Sequence, residues 1–214
     1  VIAVVPGGGP QDFSSLAGAI RFDAQDMRSL QKIHNVDFTV PAFISDSRIS
    51  TGDSEETGTV MGTSEDYVNL FSLKLLEGEA FSRADVSSSA KVAMIGESLA
   101  KELFTDPTDA VGQIVRVKNL RVKIVGLLAN VGNPSRDKAL IIPYTTSFTT
   151  LNPDKEFFAI YLGVGDKDQV ATVKTEAEEA LLDRYDSDQF SVTEPSEVLD
   201  SLDQIFTMLN VVLV

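Results

Sequence analysis

From Gln113 to Leu128 the sequence reads QIVRVKNLRVKIVGLL, two runs of alternating apolar and basic residues that meet at Lys118-Asn119. Successive side chains of a strand point to opposite faces, so this pattern makes one continuous apolar face only if both runs are extended. On a helix the same residues would be scattered around the circumference. The pair therefore predicts a hairpin over 113–118 and 120–128 with one face buried. Its register cannot slip by one residue without turning the basic side chains inward.

The segments around it have the same texture. Short strands are predicted at 59–63, 73–76, 91–95 and 139–142, interrupted only by short helices at about 65–71 and 97–104. The outer thirds differ. Residues 1–5 are apolar and mostly β-branched, PGGGP ends that strand, and a helix starts at about Ala24. Asp23 is a good N-cap for it, with Asp26 near its positive end. The stretch VDFTVPAFISDSRIS, 36–50, reads as a strand in which Pro41 marks a bulge or an edge, and TGDSEETG, 51–58, as a solvated hairpin tip or loop. Beyond Pro143 and the loop to Pro153 come a strand at 156–164, a helix at about 167–184, a strand near 189–193 and, after Pro195, a last helix. Each outer third thus supplies strand, helix and strand. The predicted class is α+β: a split αβ subdomain from residues 1–58 and 151–214, with helices on one side of its sheet as in a ferredoxin-like unit, and an inserted β-rich subdomain at 59–150.

Composition restricts the chemistry. With 32 acidic and 18 basic residues the formal charge is -14, which repels polyphosphates and argues against nucleic acid as a partner. The absence of cysteine excludes disulfides, thiolate metal sites and a cysteine nucleophile, and a single histidine, His34, excludes the usual zinc sites. The acidic groups Asp53/Glu55/Glu56 and Asp183/Asp186/Asp188 lack the calcium-loop spacing and its central glycine, and read as solvated loops. Gly7-Gly8-Gly9 has no lysine or hydroxyl residue in phosphate-loop position, and reads as a turn. His34 is placed to cap the end of the first helix. Phe38, Phe43, Phe157, Phe158 and Tyr161 fall in predicted strands.

One arrangement resembles catalytic machinery. Gly96-Glu97-Ser98-Leu99-Ala100 is a strand-to-helix turn with small residues two before and two after a serine, as in a nucleophile elbow. A serine nucleophile needs a base, yet His34 lies upstream, against the usual order, and Lys101 points away from the Ser98 side of the turn. Ser98 therefore reads as a first-turn residue whose hydroxyl bonds a free N–H. No catalytic, cofactor or metal site is expected. Both ends carry eleven uncharged residues, VIAVVPGGGPQ and QIFTMLNVVLV, too short for the roughly 20 residues of a membrane span. Two apolar stumps around an acidic middle read either as the ends of a piece lying between two spans, or as a buried strand at VIAVV and a core-facing helix at the C-terminal run.

Taken in order, GTSEDYVNLFSLKLLEGEAFSRAD, KVAMIGESLAKELF, DAVGQIVRVKNLRVKIVGLL and ALIIPYTT resemble the periplasmic core domain of MacB-type ABC transporter permeases, within the broader MacB/FtsX group. The matching positions are Gly62, Asp66, Tyr67, Gly78, Phe81, Gly96, Leu103, Phe104, Val111, Gly112, Ile114, Val125, Gly126 and Pro143. Glu79 departs from the family's usual arginine, and Thr105 from a frequent glycine. The resemblance implies a porter-like αβ subdomain made from both chain ends with an inserted β-rich subdomain, and no catalytic role for any of these residues. It also implies an extracytoplasmic position on a cell membrane, periplasmic or outer. The implied partners are a cytoplasmic ATP-binding subunit or domain reached through transmembrane helices, a second permease copy, and room for an extracytoplasmic adaptor. Family substrates include peptides, macrolides, toxins and lipoproteins. Mechanical coupling of ATP hydrolysis to export or extraction is the expected role, against two alternatives: a stand-alone cell-surface binding or adhesion module, and a serine hydrolase using Ser98.

Overall fold

Of the 214 residues, the computed structural model describes 1–7, 20–52 and 54–194. In chain order the elements are β1 (Ile2–Pro6), α1 (Ala24–Leu30), β2 (Phe38–Ser50), β3 (Glu55–Thr63), α2 (Tyr67–Leu70), β4 (Leu75–Gly78), α3 (Arg83–Ser87), β5 (Val92–Gly96) and α4 (Glu97–Leu103). They continue with β6 (Ile114–Val117), β7 (Leu120–Leu128), α5 (Pro134–Asp137), β8 (Ala139–Pro143), α6 (Tyr144–Ser147), β9 (Ala159–Gly163), α7 (Val170–Leu182) and β10 (Phe190–Thr193). The chain divides into two compact units, one from residues 1–39 and 156–214, the other from 40–155.

In the first unit β1 is the middle strand. Val4 faces Val192 of β10 on one side and Ile160 of β9 on the other, both antiparallel. Asp37 donates its N–H to the Gly163 carbonyl at 2.8 Å, so the chain enters β2 beside β9. The order β10, β1, β9, start of β2 is that of a split βαβ unit. Asp23 caps α1 by accepting from the N–H groups of Gln25 and Asp26, while Asp26 accepts from the N–H of Asp23, a complete capping box. Helix α7 buries Val173, Ala177 and Leu181, one stripe at helical spacing, and packs against α1 and β10.

The second unit is a closed ring of strands. β2 pairs antiparallel with β3, β3 parallel with β8, β8 antiparallel with β5, and β5 parallel with β7. β6 then pairs antiparallel with β7 on one side and with β2 on the other, which closes the circuit. β4 is attached outside it, on β7. The predicted alternation is what fills the ring: Val115, Val117, Leu120, Val122 and Ile124 are buried in one core with Ile49, Val60, Ile95, Leu140 and Ile142. Leu99, Ala100 and Leu103 of α4 join the same core. Each such side chain contributes about 1.5–3 kcal/mol on full burial.

Three expectations change. β3 begins at Glu55 rather than at 59, because β2 and β3 pair without interruption from Phe43↔Gly62 to Ser50↔Glu55, leaving only residues 51–54 as the tip. The division between units falls before most of β2 rather than at 58, since β2 is bonded to β3 and β6 and so belongs with the ring. At the other boundary Leu151 is buried in the ring's core and Asn152 donates to the Ser147 carbonyl, so 151–155 also stay with the ring. The short helices α3, α5 and α6 had no forecast; α3 is held by Ser82 and Asp85 in a second capping box. The helix expected after Pro195 lies outside the described residues, as do Gly8 and Gly9.

Gly78 ends β4 at φ +72°, and a Cβ there would stand 2.1 Å from the Val125 carbonyl oxygen, whereas Gly112, at φ +91°, has open space around it. Gly112→Ala should cost about 1 kcal/mol of left-handed strain. Gly78→Ala adds a main-chain collision and should cost roughly twice that or more. Urea titration of the two variants checks the order; equal losses would mean the β4–β7 approach is not rigid.

Candidate functional site

The family positions read from the sequence all fall in the ring unit, 40–155, and the structure brings them together as packing pairs rather than as a polar cluster. Gly78 faces Gly126 across β4 and β7, and a Cβ on Gly126 would stand 2.4 Å from the Glu79 carbonyl oxygen. Gly62 lies against α6, 3.1 Å from Ser147 Oγ at its missing Cβ, and Pro143 ends β8 opposite Thr63. Asp66 and Tyr67 start α2; the Tyr67 ring is 1% exposed and 5.1 Å from that of Phe71. Burial and the neighbouring Glu65 carboxylate push the Asp66 carboxyl above its ordinary range, with Arg83 opposing them. Phe81 and Leu103 are buried, and Phe104 packs partly buried at the end of α4.

Gly96 is needed for space rather than for flexibility. Its φ of -72° and ψ of 144° suit any residue, but a Cβ would stand 2.4 Å from the Asp137 carbonyl oxygen. Strand end and α5 therefore touch where the sequence suggested only a tight turn.

Ser98 is bound into structure. Its Oγ donates to Asn130 Oδ1 at 3.0 Å, a side-chain carbonyl rather than the free N–H expected. Lys101 Nζ is held at 2.6 Å by Glu97 Oε1, and Glu97 Oε2 accepts the Asn130 N–H at 3.3 Å. The Lys101 ammonium, then the Asn130 N–H, hold the Glu97 carboxyl below its usual range. These bonds tie the first turn of α4 to the loop after β7 and leave no base on the hydroxyl. His34 belongs to the other unit and is exposed; main-chain N–H groups of Gln31, Lys32 and Ile33 take the carbonyls of Met27, Ser29 and Leu30, so the helix end is closed without the imidazole. Glu55 sits 3.5 Å from Arg48, Asp183, Asp186 and Asp188 are exposed, and Asp53 lies outside the described residues. Among the described residues no three histidine or acidic side chains gather as a metal site.

The most developed polar cluster is one the sequence did not announce. Asp26, fully buried, accepts from Arg184 Nη1 and, at 2.8 Å, from the Tyr185 hydroxyl. Asp23 accepts from the same guanidinium at 3.0 and 2.9 Å. The Tyr185 ring stands edge-on to Phe22 at 5.9 Å. The Arg184 hydrogen bond holds the Asp23 carboxyl below its usual range, while burial and the bond to Asp26 raise the Tyr185 phenol well above its own. One signal could have found it: Asp26 is four residues before buried Leu30, on the inner face of α1. The cluster joins the start of α1 to the end of α7, and its chemistry is that of a clasp.

A family model for the MacB-like periplasmic core domain matches residues 1–180. The chain belongs to the MacB-like periplasmic core domain family. The macrolide export ATP-binding/permease protein MacB of Hyphomonas neptunium is 24% identical over 193 residues, covering 88% of this chain and 30% of the relative. This MacB-like domain therefore spans about a third of the relative's length. Its fold matches the crystal structure of the periplasmic region of MacB from Actinobacillus actinomycetemcomitans with a TM-score of 0.82 at 18% identity, over 94% of this chain and 92% of that one. It matches the extracellular domain of the transporter YknZ from Gram-positive bacteria with a TM-score of 0.74 at 18% identity, over 90% and 99% of the two chains.

Three outcomes follow for this MacB-like domain. Arg184→Met removes the counter-charge of the buried Asp26 carboxylate and should lower stability by about 3 kcal/mol. A phenol whose pKa is raised by folding contributes stability that is complete below about pH 10 and is lost as pH rises past it. Urea midpoints should therefore fall above about pH 10, and less so in Tyr185→Phe; a variant with an unchanged alkaline decline would remove Tyr185 from the explanation. A fluorophosphonate probe should leave the chain unlabelled, and labelling abolished by Ser98→Ala would restore the hydrolase reading.

Proposed function

We propose that this domain is the extracytoplasmic module of an ABC transporter permease, held to a cell membrane at both ends, and that it transmits the movement produced by ATP hydrolysis to the export or extraction of a substrate. The family match over residues 1–180 carries the reading. ATP would be bound and hydrolysed by a cytoplasmic domain or subunit, as the printed name of the MacB relative, an ATP-binding/permease protein, suggests. A second permease copy would be the partner against which the module moves, and the domain itself would make and break no bonds.

Two features suit that role. A ring of strands closed through β6 resists deformation better than an open sheet, because bending it must break pairings on both sides of a strand. Gly78, Gly96 and Gly126 sit where main chains approach too closely for a side chain, Gly62 lies tightly against Ser147, and Asp66, Tyr67, Phe81, Leu103, Phe104, Gly112 and Pro143 sit at turns or in the core. In this proposal the family positions serve stiffness, and their substitution would soften the module rather than abolish a reaction.

The test is made on the full-length transporter. Flexible Gly-Ser linkers placed between this domain and the segments on each side should reduce export at least about tenfold while ATP hydrolysis and membrane level persist, since a slack linker transmits little force. Export at the original rate would show that the domain does not work as a lever.

A further inference from the structure

Between Asp109 and Asp137 the chain carries no acidic residue and five basic ones, within a protein of formal charge -14. Arg136 is engaged over the Phe71 ring at 4.4 Å. The other four, Arg116, Lys118, Arg121 and Lys123, are exposed on the β6–β7 hairpin. Residues facing each other across an antiparallel pair share a face, and the inner face is taken by Val115, Val117, Val122 and Ile124. On the outer face Arg116 stands opposite Arg121, and Ile114, 50% exposed, opposite Lys123.

Like charges placed directly opposite one another destabilise a strand pair. Among the described residues no carboxylate answers the four cations. Among the described residues, two acids near this face are otherwise engaged: Glu55 with Arg48 at 3.5 Å, and Asp46 accepting from Thr59 Oγ1 at 3.1 Å. An open groove beside the strip is lined by Arg48, Ser50, Arg116 and Lys118 and by the two engaged acids, Asp46 and Glu55. The face is thus an unneutralised cationic strip, built on the strand that closes the ring.

We propose that this strip docks an extended acidic segment of a partner protein, with carboxylates on alternate residues. Same-face side chains on β6 and on β7 recur at about 7 Å, the spacing of alternate side chains on any extended chain, so such a segment would meet the cations in register. Arginine forks donate to carboxylates in bidentate geometry, and Ile114, next to Arg116 on the outer face of β6, offers an apolar contact. A short segment touches only the strip. A flat anionic bilayer would also face the acidic remainder of the domain, whose repulsion reaches through a Debye length of about 8 Å. The surface is independent of the transport role proposed above.

The experiment uses the 214-residue chain and fluorescence anisotropy of a labelled eight-residue peptide of alternating Glu and Thr. Controls are a peptide of the same composition with its glutamates in one block, and phosphatidylglycerol vesicles. Saturable binding of the alternating peptide is expected, weakened at least about tenfold by Arg116→Gln with Arg121→Gln and again by raising salt from about 0.05 to 0.5 M. Lys118→Gln with Lys123→Gln should weaken it as well. Both double variants relieve like-charge repulsion, so their urea midpoints should equal or exceed the parent's, which separates lost binding from lost folding. Absence of saturable binding, equal affinity for the block peptide, indifference to both double variants, or preference for the vesicles would each overturn the proposal.

Discussion

The ring unit depends on one short strand. Without β6, four residues long, the sheet from β2 to β7 would have two edges and its apolar inner face would open to water. With it, Val115 and Val117 seal the core while pairing reaches around to Ile49 and Ser50 of β2. Closure removes the edges that make sheets prone to aggregate, and leaves the short β4 as the outer strand. The outward residues of the closing hairpin are then free of any structural duty, which is why its basic side chains can stand opposite one another at all.

The first unit is held in another way. Its three-stranded core is small, and α1 and α7 cover it with few large side chains; Asp26 occupies a position on the buried face of α1 where an apolar residue would ordinarily stand. A buried carboxylate is tolerated only when its partners are fixed, and Arg184 and Tyr185 supply a charge and a hydroxyl from the chain that follows α7. The clasp ties the start of α1 to the residues that follow α7.

Nothing in either unit assembles the parts of a reaction among the described residues. Ser98 and the Lys101–Glu97 pair each tie α4 to Asn130, and Gly78, Gly96 and Gly126 of the family pattern occur where backbone meets backbone. A conserved-looking motif of this kind reflects close approach of elements.

The sequence alone determined the strands, most of the helices, and the face that each strand would bury, because alternation in QIVRVKNLRVKIVGLL and capping at Asp23 are local signals. It also predicted that the two outer thirds build one unit. Among its misplacements were the loop at 51–58, the unit boundaries and the role of Asp26. β3 starts at Glu55 although EET looks like a loop, because pairing with β2 outweighs the weak strand preference of two glutamates. Asp26 looks like a helix-dipole acid, and only the arrival of Arg184, 158 residues later, makes it a buried ion pair. Ring closure, the Gly96–Asp137 approach and the cationic strip share that origin. Each depends on which distant segments meet, and no window of sequence contains the distance between residues far apart in the chain.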